Sequence, residues 1–343
     1  MRPRPATPRA NAAPIGATAR RVRMAGLGKC LPPKVMTNRE LEQLVETTDE
    51  WIRTRTGIRE RRIAEPGTGT SDIAVPAARQ ALQDAGLDPT DLQLIIVATS
   101  TPDMIFPSTA CLVQEQLGAG RAACFDVQAA CTGFLYALAV ANQCVAGGMY
   151  DNALVIGAEV LSGFIDWTDR STCVLFGDGA GACVLLPAAR GGILATHLGS
   201  DGGGKELLQL PGGGSRVPPS HASIDQRLHF LQMKGNEVFK VAVRTMVEAT
   251  TEVLAKCGRT PQDVACLIPH QANQRIIDAV RERMELPPER VYTNLERYGN
   301  MSAASTIVAL REAVDEGRVK TGDLVVLVAF GAGLTWGAAA IEW

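Results

Sequence analysis

Between Asp126 and Asp151 the chain carries no charged residue, and the stretch FDVQAACTGFLYALAVANQCVAGGMY, residues 125–150, constrains every other choice. Ala122 to Val127 has the small and apolar composition of a buried strand. The chain turns over Gln128 to Ala130, and a helix-compatible run begins at Cys131. Such a helix is apolar on every face, so it belongs in the middle of a large core. Its length alone allows a membrane span, but Gln128, Asn142 and Gln143 interrupt it and no second segment of the kind exists.

A cysteine at the first turn of a helix sits at the positive end of the helix dipole, beside N–H groups that have no intrahelical partner. Both effects lower a thiol's pKa and make its thiolate available as a nucleophile. The alternative is an inert, packed core cysteine. What decides between them is the company Cys131 keeps.

The 343 residues can bury one large core or two domains, and a net charge of -2 exerts no pull toward nucleic acid or an anionic membrane. Nine cysteines without paired motif spacing, in a chain with no secretory apolar segment, point to free thiols and the cytoplasm. The first 23 residues hold six arginines, several prolines and no acid. That composition cannot bury enough apolar surface to fold, and without serine it is a poor transit peptide. Residues 1–21 are therefore expected to be a disordered tail.

From Arg21 to Leu31 an apolar run reads as a strand, and Thr37 looks like the N-cap of a helix over NRELEQLVE. Trp51 follows among Arg53, Arg55, Arg59, Arg61 and Arg62. This is either a solvated basic face or the aromatic-plus-arginine pattern that a nucleotide requires. Helices and strands then alternate: a helix from Ser71, the strand LQLIIVATS, a helix over FPSTACLVQEQLG, the Cys131 strand and helix, the strand ALVIGAEV, and STCVLFGDGAGACVLLP.

The second half repeats this order. A helix over AVRTMVEATTEVLAKCG precedes the strand DVACLIPHQ, a helix over QANQRIIDAVRERM, VYTNLERYGN as a strand into a turn, a helix over SAASTIVALREAVDEG, and the strand DLVVLVAFGAG. Asp91 before the first of these strands corresponds to Asp263, and Asp151 to Asp323, each 172 residues on. Equal offsets argue for a duplicated unit. Alternating strands and helices imply mainly parallel sheets with ligands gathered at the strands' carboxyl ends. Cys131, His270 and Asn300 are each expected straight after a strand, all at one end. Of the other histidines, His221 lies in a Gly-, Pro- and Ser-rich loop and His229 at a charged helix start, both read as solvated, while His197 ends a strand and is not ranked by the sequence. Beside Asn300, Ser302 is placed to cap the following helix.

DVQAACTGF around Cys131, PHQANQRI around His270, YGNMSAAS around Asn300 and the closing FGAGLTWG resemble the signatures of the 3-oxoacyl-(acyl-carrier-protein) synthase III family. The similarity runs from about Val22 to Trp343 and takes in TDEWIRTRTGIRERRI, FPSTAC, TDRSTCVLFGDGAGA and KGNEVFKVAV. It implies an α/β, thiolase-like fold of two similar halves in α/β/α/β/α layers, here 22–190 with the nucleophile and 191–343 with the histidine and asparagine. It also implies an acyltransferase that starts fatty acid synthesis by decarboxylating Claisen condensation of an acyl-CoA with malonyl-acyl carrier protein.

Under that resemblance Cys131 attacks the acyl-CoA thioester, and His270 and Asn300 stabilise the enolate left by decarboxylation. The backbone N–H groups of Cys131 and Ala332 form the oxyanion hole. Trp51 and Arg170 sandwich the adenine of CoA, Arg55 contacts adenine and phosphate, and Asn236 and Asn273 contact pantetheine. Phe106, Leu161 and Phe330 line the acyl pocket, Phe106 by crossing a homodimer interface. Lys240, Arg275 and Arg283 receive the acidic carrier protein, although the same residues also read as an ordinary charged helix face. The resemblance implies no metal and no cofactor beyond the substrates.

Two glycine-rich runs, GDGAGA and GAGLTWG, have strand-like sequence after them where a phosphate loop needs a helix. A degradative thiolase needs a second cysteine near the carboxyl terminus, and none follows Cys266. A related condensing or ester-forming acyltransferase of a secondary-metabolite pathway stays open as the alternative.

Overall fold

Apolar alternation and helix punctuation place the elements of the computed structural model, which describes residues 20–343. Residues 1–19, most of the expected tail, lie outside the described residues; Arg20 already bonds Asp151 at 2.8 Å and β1 starts at Arg21. The first sheet joins β1 (Arg21–Cys30), β4 (Leu94–Ala98), β5 (Ala123–Val127), β6 (Ala153–Glu159) and β7 (Gly179–Ala188) in the order β1-β7-β6-β4-β5. The second joins β8 (Gly192–Ser200), β11 (Val264–Pro269), β12 (Leu324–Gly331) and β13 (Thr335–Glu342) in the order β11-β12-β13-β8. Two ribbons complete the strands: β2 (Lys34–Thr37) with β3 (Glu60–Ile63), and β9 (Leu208–Gln209) with β10 (Gln232–Met233).

The duplication is visible in the register. Ile95 pairs with Leu154 in the first sheet and Leu267 with Val326 in the second, each residue 172 positions beyond its counterpart. The repeat is incomplete at one strand. VYTN, expected as a strand running into a turn, is reduced to a single parallel bridge between Val291 and Leu267. Chain immediately beyond it turns into the short helix α10 (Leu295–Tyr298), whose Arg297 and Tyr298 side chains both donate to Glu312, outside the sheet.

Helices α3 (Thr70–Ala85) and α4 (Thr109–Leu117) cover one face of the first sheet, and α8 (Gly235–Lys256) and α9 (Gln274–Arg283) lie on the far side of the second half. Between the sheets lie α5 (Gly133–Ala146) and α11 (Ala304–Asp315), each touching strands of both. Short helices α1 (Asn38–Leu41), α2 (Asp49–Thr56), α6 (Arg170–Cys173) and α7 (His221–Asp225) sit in the connections. Thr37 caps α1 as expected, with Glu40 completing a capping box, but the helix stops at Leu41.

The charge-free stretch differs from expectation in two respects. β5 is an edge strand, and Phe125 is 38% exposed rather than buried. Helix α5 is enclosed except along one line, where Val140 is 40% exposed and Gln143 is open to solvent. No helix among the described residues is long and apolar enough to cross a membrane.

Candidate active site

Cys131 occupies a single 3-10 turn, Ala130–Thr132, between β5 and the start of α5 at Gly133. Ala130 holds a φ of 47°, a left-handed conformation that costs a non-glycine residue about 1–2 kcal/mol and persists only where packing enforces it. Part of that packing is Gly331, the last residue of β12. A Cβ there would stand 2.8 Å from the Cys131 nitrogen and 3.2 Å from its Cβ, so only glycine lets the strand end close on the turn. The Thr335 hydroxyl, 3.0 Å from the carbonyls of both Ala129 and Ala332, ties the loop after β12 to the same place. Ala332 is thus brought beside Cys131. Gly331→Ala is expected to cut steady-state condensation roughly 100-fold, the scale of losing one oxyanion donor; a rate near wild type would mean the contact is dispensable.

The expected low thiol pKa is overturned. Burial pushes the Cys131 thiol up to about 12, Glu159 adds to the rise, and the Ser302 hydrogen bond and the Cys131 backbone oppose it too weakly. A helix start can be read in a sequence; the enclosure of its sulfur, here 6% exposed, cannot. The resting nucleophile is a thiol whose proton must be handed on.

His270 follows the end of β11, where its N–H donates to the Val328 carbonyl at 2.7 Å. Val328 is three residues before Gly331, so the His270 backbone and Cys131 are both held against the last residues of β12. Burial pushes His270 down to about 4, which leaves it neutral at pH 7. Both ring nitrogens are enclosed and neither has a hydrogen-bond partner among the described residues. Buried polar atoms without partners are rare, and here they fit a ligand's oxygen.

Asn300 does not follow a strand. It comes after α10 and Gly299 and is pinned by the first half: its N–H donates to Leu175 at 2.8 Å, and its carbonyl accepts from Gly177 at 3.0 Å. The carboxamide oxygen accepts the Ser302 N–H at 2.8 Å, which leaves the amide NH2 free to donate elsewhere. Ser302 itself was expected to cap α11. Its hydroxyl instead donates to Glu159, 2.9 Å away, and the N-cap position falls to Ala303. Sequence singles out Ser302 only as a cap and Glu159 not at all, because the bond joins residues 143 apart.

Leu161 and Phe330 share one buried apolar cluster, at 4% and 5% exposure. Phe106, at 82% exposed, lies outside it, with Ile105 at 79%. Of the residues assigned to CoA, Trp51 on α2 and Arg170 on α6 are neighbours, but the guanidinium lies 4.9 Å from the indole centroid. A base held between them needs roughly 7 Å, two contacts of about 3.5 Å, so the exposed Arg170 has to swing away from Glu46, whose carbonyl it bonds at 2.9 Å. Arg55 is exposed, and its carbonyl accepts from the Asn273 amide at 3.1 Å while Asn273 caps α9. Asn236 is exposed at the start of α8. Arg61, in contrast, belongs to no surface: it is fully buried and bonds Met36, Asn38 and Val174. Lys240, Arg275 and Arg283 are exposed on α8 and α9, which are joined by Arg275 over the Phe239 ring at 5.5 Å.

The solved structure of 3-oxoacyl-[acyl-carrier-protein] synthase III from Aquifex aeolicus superposes with a TM-score of 0.88, at 50% identity over 94% of this chain and 100% of that one. Paired βα halves and a strand-end cysteine define the class, a thiolase-fold condensing enzyme. Residues 125–202 match the family described as 3-oxoacyl-[acyl-carrier-protein (ACP)] synthase III, and residues 254–343 match its C-terminal counterpart. Proteins called beta-ketoacyl-[acyl-carrier-protein] synthase III from Caldanaerobacter subterraneus and Symbiobacterium thermophilum are each 57% identical, covering 93% and 94% of this chain and 96% and 98% of theirs. The chain belongs to the 3-oxoacyl-(acyl-carrier-protein) synthase III family. It is a condensing acyltransferase of fatty acid initiation, and the secondary-metabolite alternative is not favoured.

Proposed function

We propose that Cys131 takes the acyl group of an acyl-CoA as a thioester and releases CoA. Malonyl-acyl carrier protein then loses CO2, and its carbanion displaces the acyl group from sulfur to give 3-oxoacyl-acyl carrier protein. Neutral His270 and the Asn300 amide donate to the enolate oxygen, while the N–H groups of Cys131 and Ala332 receive the acyl oxygen. The observation that carries this reading is His270, enclosed, uncharged and with both nitrogens unpartnered beside the strand that closes on Cys131.

Trp51, Arg55, Arg170, Asn236 and Asn273 hold CoA in this reading, with Arg170 opening to admit the adenine. Lys240, Arg275 and Arg283 meet the acidic carrier protein. The chain works in the cytoplasm as a homodimer, without metal or cofactor, and its halves divide between residues 190 and 191. Exposed Met104, Ile105 and Phe106, together with the open edge of β5, support a partner copy, since a bare edge strand with apolar neighbours is an unstable surface for a monomer.

His270→Ala tests the division of labour. Self-acylation by acyl-CoA should stay within about threefold of wild type, and release of CO2 from malonyl-acyl carrier protein should fall about 100-fold or more. Equal loss of both would contradict it.

A further inference from the structure

Asn300 can serve an enolate only if its carboxamide turns the NH2 toward the substrate, and its main chain does not settle that rotation. The bonds to the Leu175 carbonyl and from the Gly177 N–H hold the backbone alone. What sets the amide plane is the Ser302 N–H, which donates to the carboxamide oxygen at 2.8 Å. An N–H can be met only by an acceptor, so the oxygen is committed to Ser302 and the NH2 faces the other way.

Ser302 makes that bond from an unfavourable conformation. Its φ of 45° lies in the left-handed region, which a non-glycine residue keeps only where its surroundings enforce it. The enforcement comes from β6. Glu159, the last residue of that strand, is fully buried, and its Oε1 accepts from the Ser302 hydroxyl at 2.9 Å. Two residues earlier, a Cβ on Gly157 would stand 2.5 Å from the Ala303 carbonyl oxygen, so the same strand packs directly on the residue after Ser302. The carboxylate is itself fixed. Its Oε2 accepts from the Thr101 hydroxyl at 2.7 Å, the Ser100 N–H at 3.0 Å and the Thr99 hydroxyl at 3.3 Å. Thr101 Oγ1 in turn accepts the Val160 N–H at 2.9 Å, which turns its own proton to Glu159.

We propose that Glu159, acting through Ser302, is a positioning residue that sets the rotation of the Asn300 carboxamide, an inference that rests on Asn300 being a donor to the enolate. Alanine at 302 keeps the N–H and loses the anchor, so the strained residue relaxes and carries its N–H off the carboxamide oxygen. Glutamine at 159 offers one acceptor where two are needed. Whichever way its amide lies, either the Ser302 hydroxyl or the Ser100 N–H meets an NH2.

The test is CO2 release from malonyl-acyl carrier protein by Ser302→Ala, Glu159→Gln, Asn300→Ala and Ser302→Ala combined with Asn300→Ala. The kcat should fall about 100-fold in Asn300→Ala and about 30-fold in Ser302→Ala and Glu159→Gln, the scale of a misplaced group. KM should stay within about threefold, as for a contact made in the transition state. In the Asn300→Ala background, Ser302→Ala should cost no more than about twofold further, because the group it aims is gone; a general loosening of the site would multiply the two losses. Ser302→Ala leaves the carboxylate its Thr101, Ser100 and Thr99 donors, so it decides the matter even if Glu159→Gln fails to fold. A kcat near wild type in Ser302→Ala, or its full loss repeated in the double variant, would overturn the positioning role and leave Asn300 as donor. Unchanged CO2 release in Asn300→Ala would instead remove the enolate reading beneath it.

Discussion

Cys131→Ser should lower condensation by on the order of 10⁴-fold and eliminate acyl-enzyme formation, while leaving CO2 release from malonyl-acyl carrier protein measurable. The asymmetry follows from geometry. Serine is nearly isosteric, so the 3-10 turn, the Gly331 contact and the Asn300–Ser302 bond all survive. What is lost is acidity: a hydroxyl in the same enclosure is far harder to ionise than the thiol, and neutral His270 offers no compensating charge. Steady-state condensation and CO2 release measured on one preparation separate the two. Loss of both to the same extent would mean that the substitution damages the site as a whole.

Glu312→Ala should be the most damaging change away from the nucleophile, at a cost of about 3 kcal/mol, after allowing for the part-exposed cations. Glu312 on α11 is 4% exposed and accepts from Lys29 at 2.6 Å, Tyr298 at 2.7 Å, Asn294 at 2.9 Å and Arg297 at 3.0 Å. Alanine strands the buried Asn294 amide and Tyr298 hydroxyl along with Lys29, whereas Arg297 can still reach Glu316 at 3.5 Å. A melting temperature lowered by roughly 5 °C is expected, with activity falling as well, because α10 ends two residues before Asn300. Burial pushes the Glu312 carboxyl up, but Lys29, Asn294 and Tyr298 outweigh it and hold it below the usual carboxylate range. A depressed carboxyl stabilises the fold above its ordinary titration range, and that contribution fades as pH falls through the lowered value. The deficit of the variant should therefore be full at pH 7 and shrink in acid. An unchanged melting temperature at pH 7 would contradict this account of the cluster.

Periodic features were legible in the chain, and enclosed ones were not. The 172-residue offset between Asp91 and Asp263 reappears in the pairing of Ile95 with Leu154 and Leu267 with Val326, because local hydrophobic pattern sets both strands and register. VYTN carries the same pattern and forms one bridge, since a strand at a sheet edge lives or dies by tertiary partners that its own residues do not specify. Cys131 was identifiable by its place after β5, yet its acidity went the opposite way, as burial outweighs a helix start. Ser302 and Glu159 were missed for a related reason: a hydroxyl before a helix looks like a cap, and only the folded chain brings a carboxylate from β6 beneath it. Arg61, lost among four other arginines in sequence, is a buried strut.

The account turns on one sulfur among nine cysteines. Incubation of the whole protein with acetyl-CoA, followed by intact mass measurement and fragmentation, locates the acyl group directly. One acetyl group on Cys131 in the wild type and none on Cys131→Ser is the predicted result. An acetyl group that persists in Cys131→Ser, or that maps to another cysteine of the wild type, would contradict it.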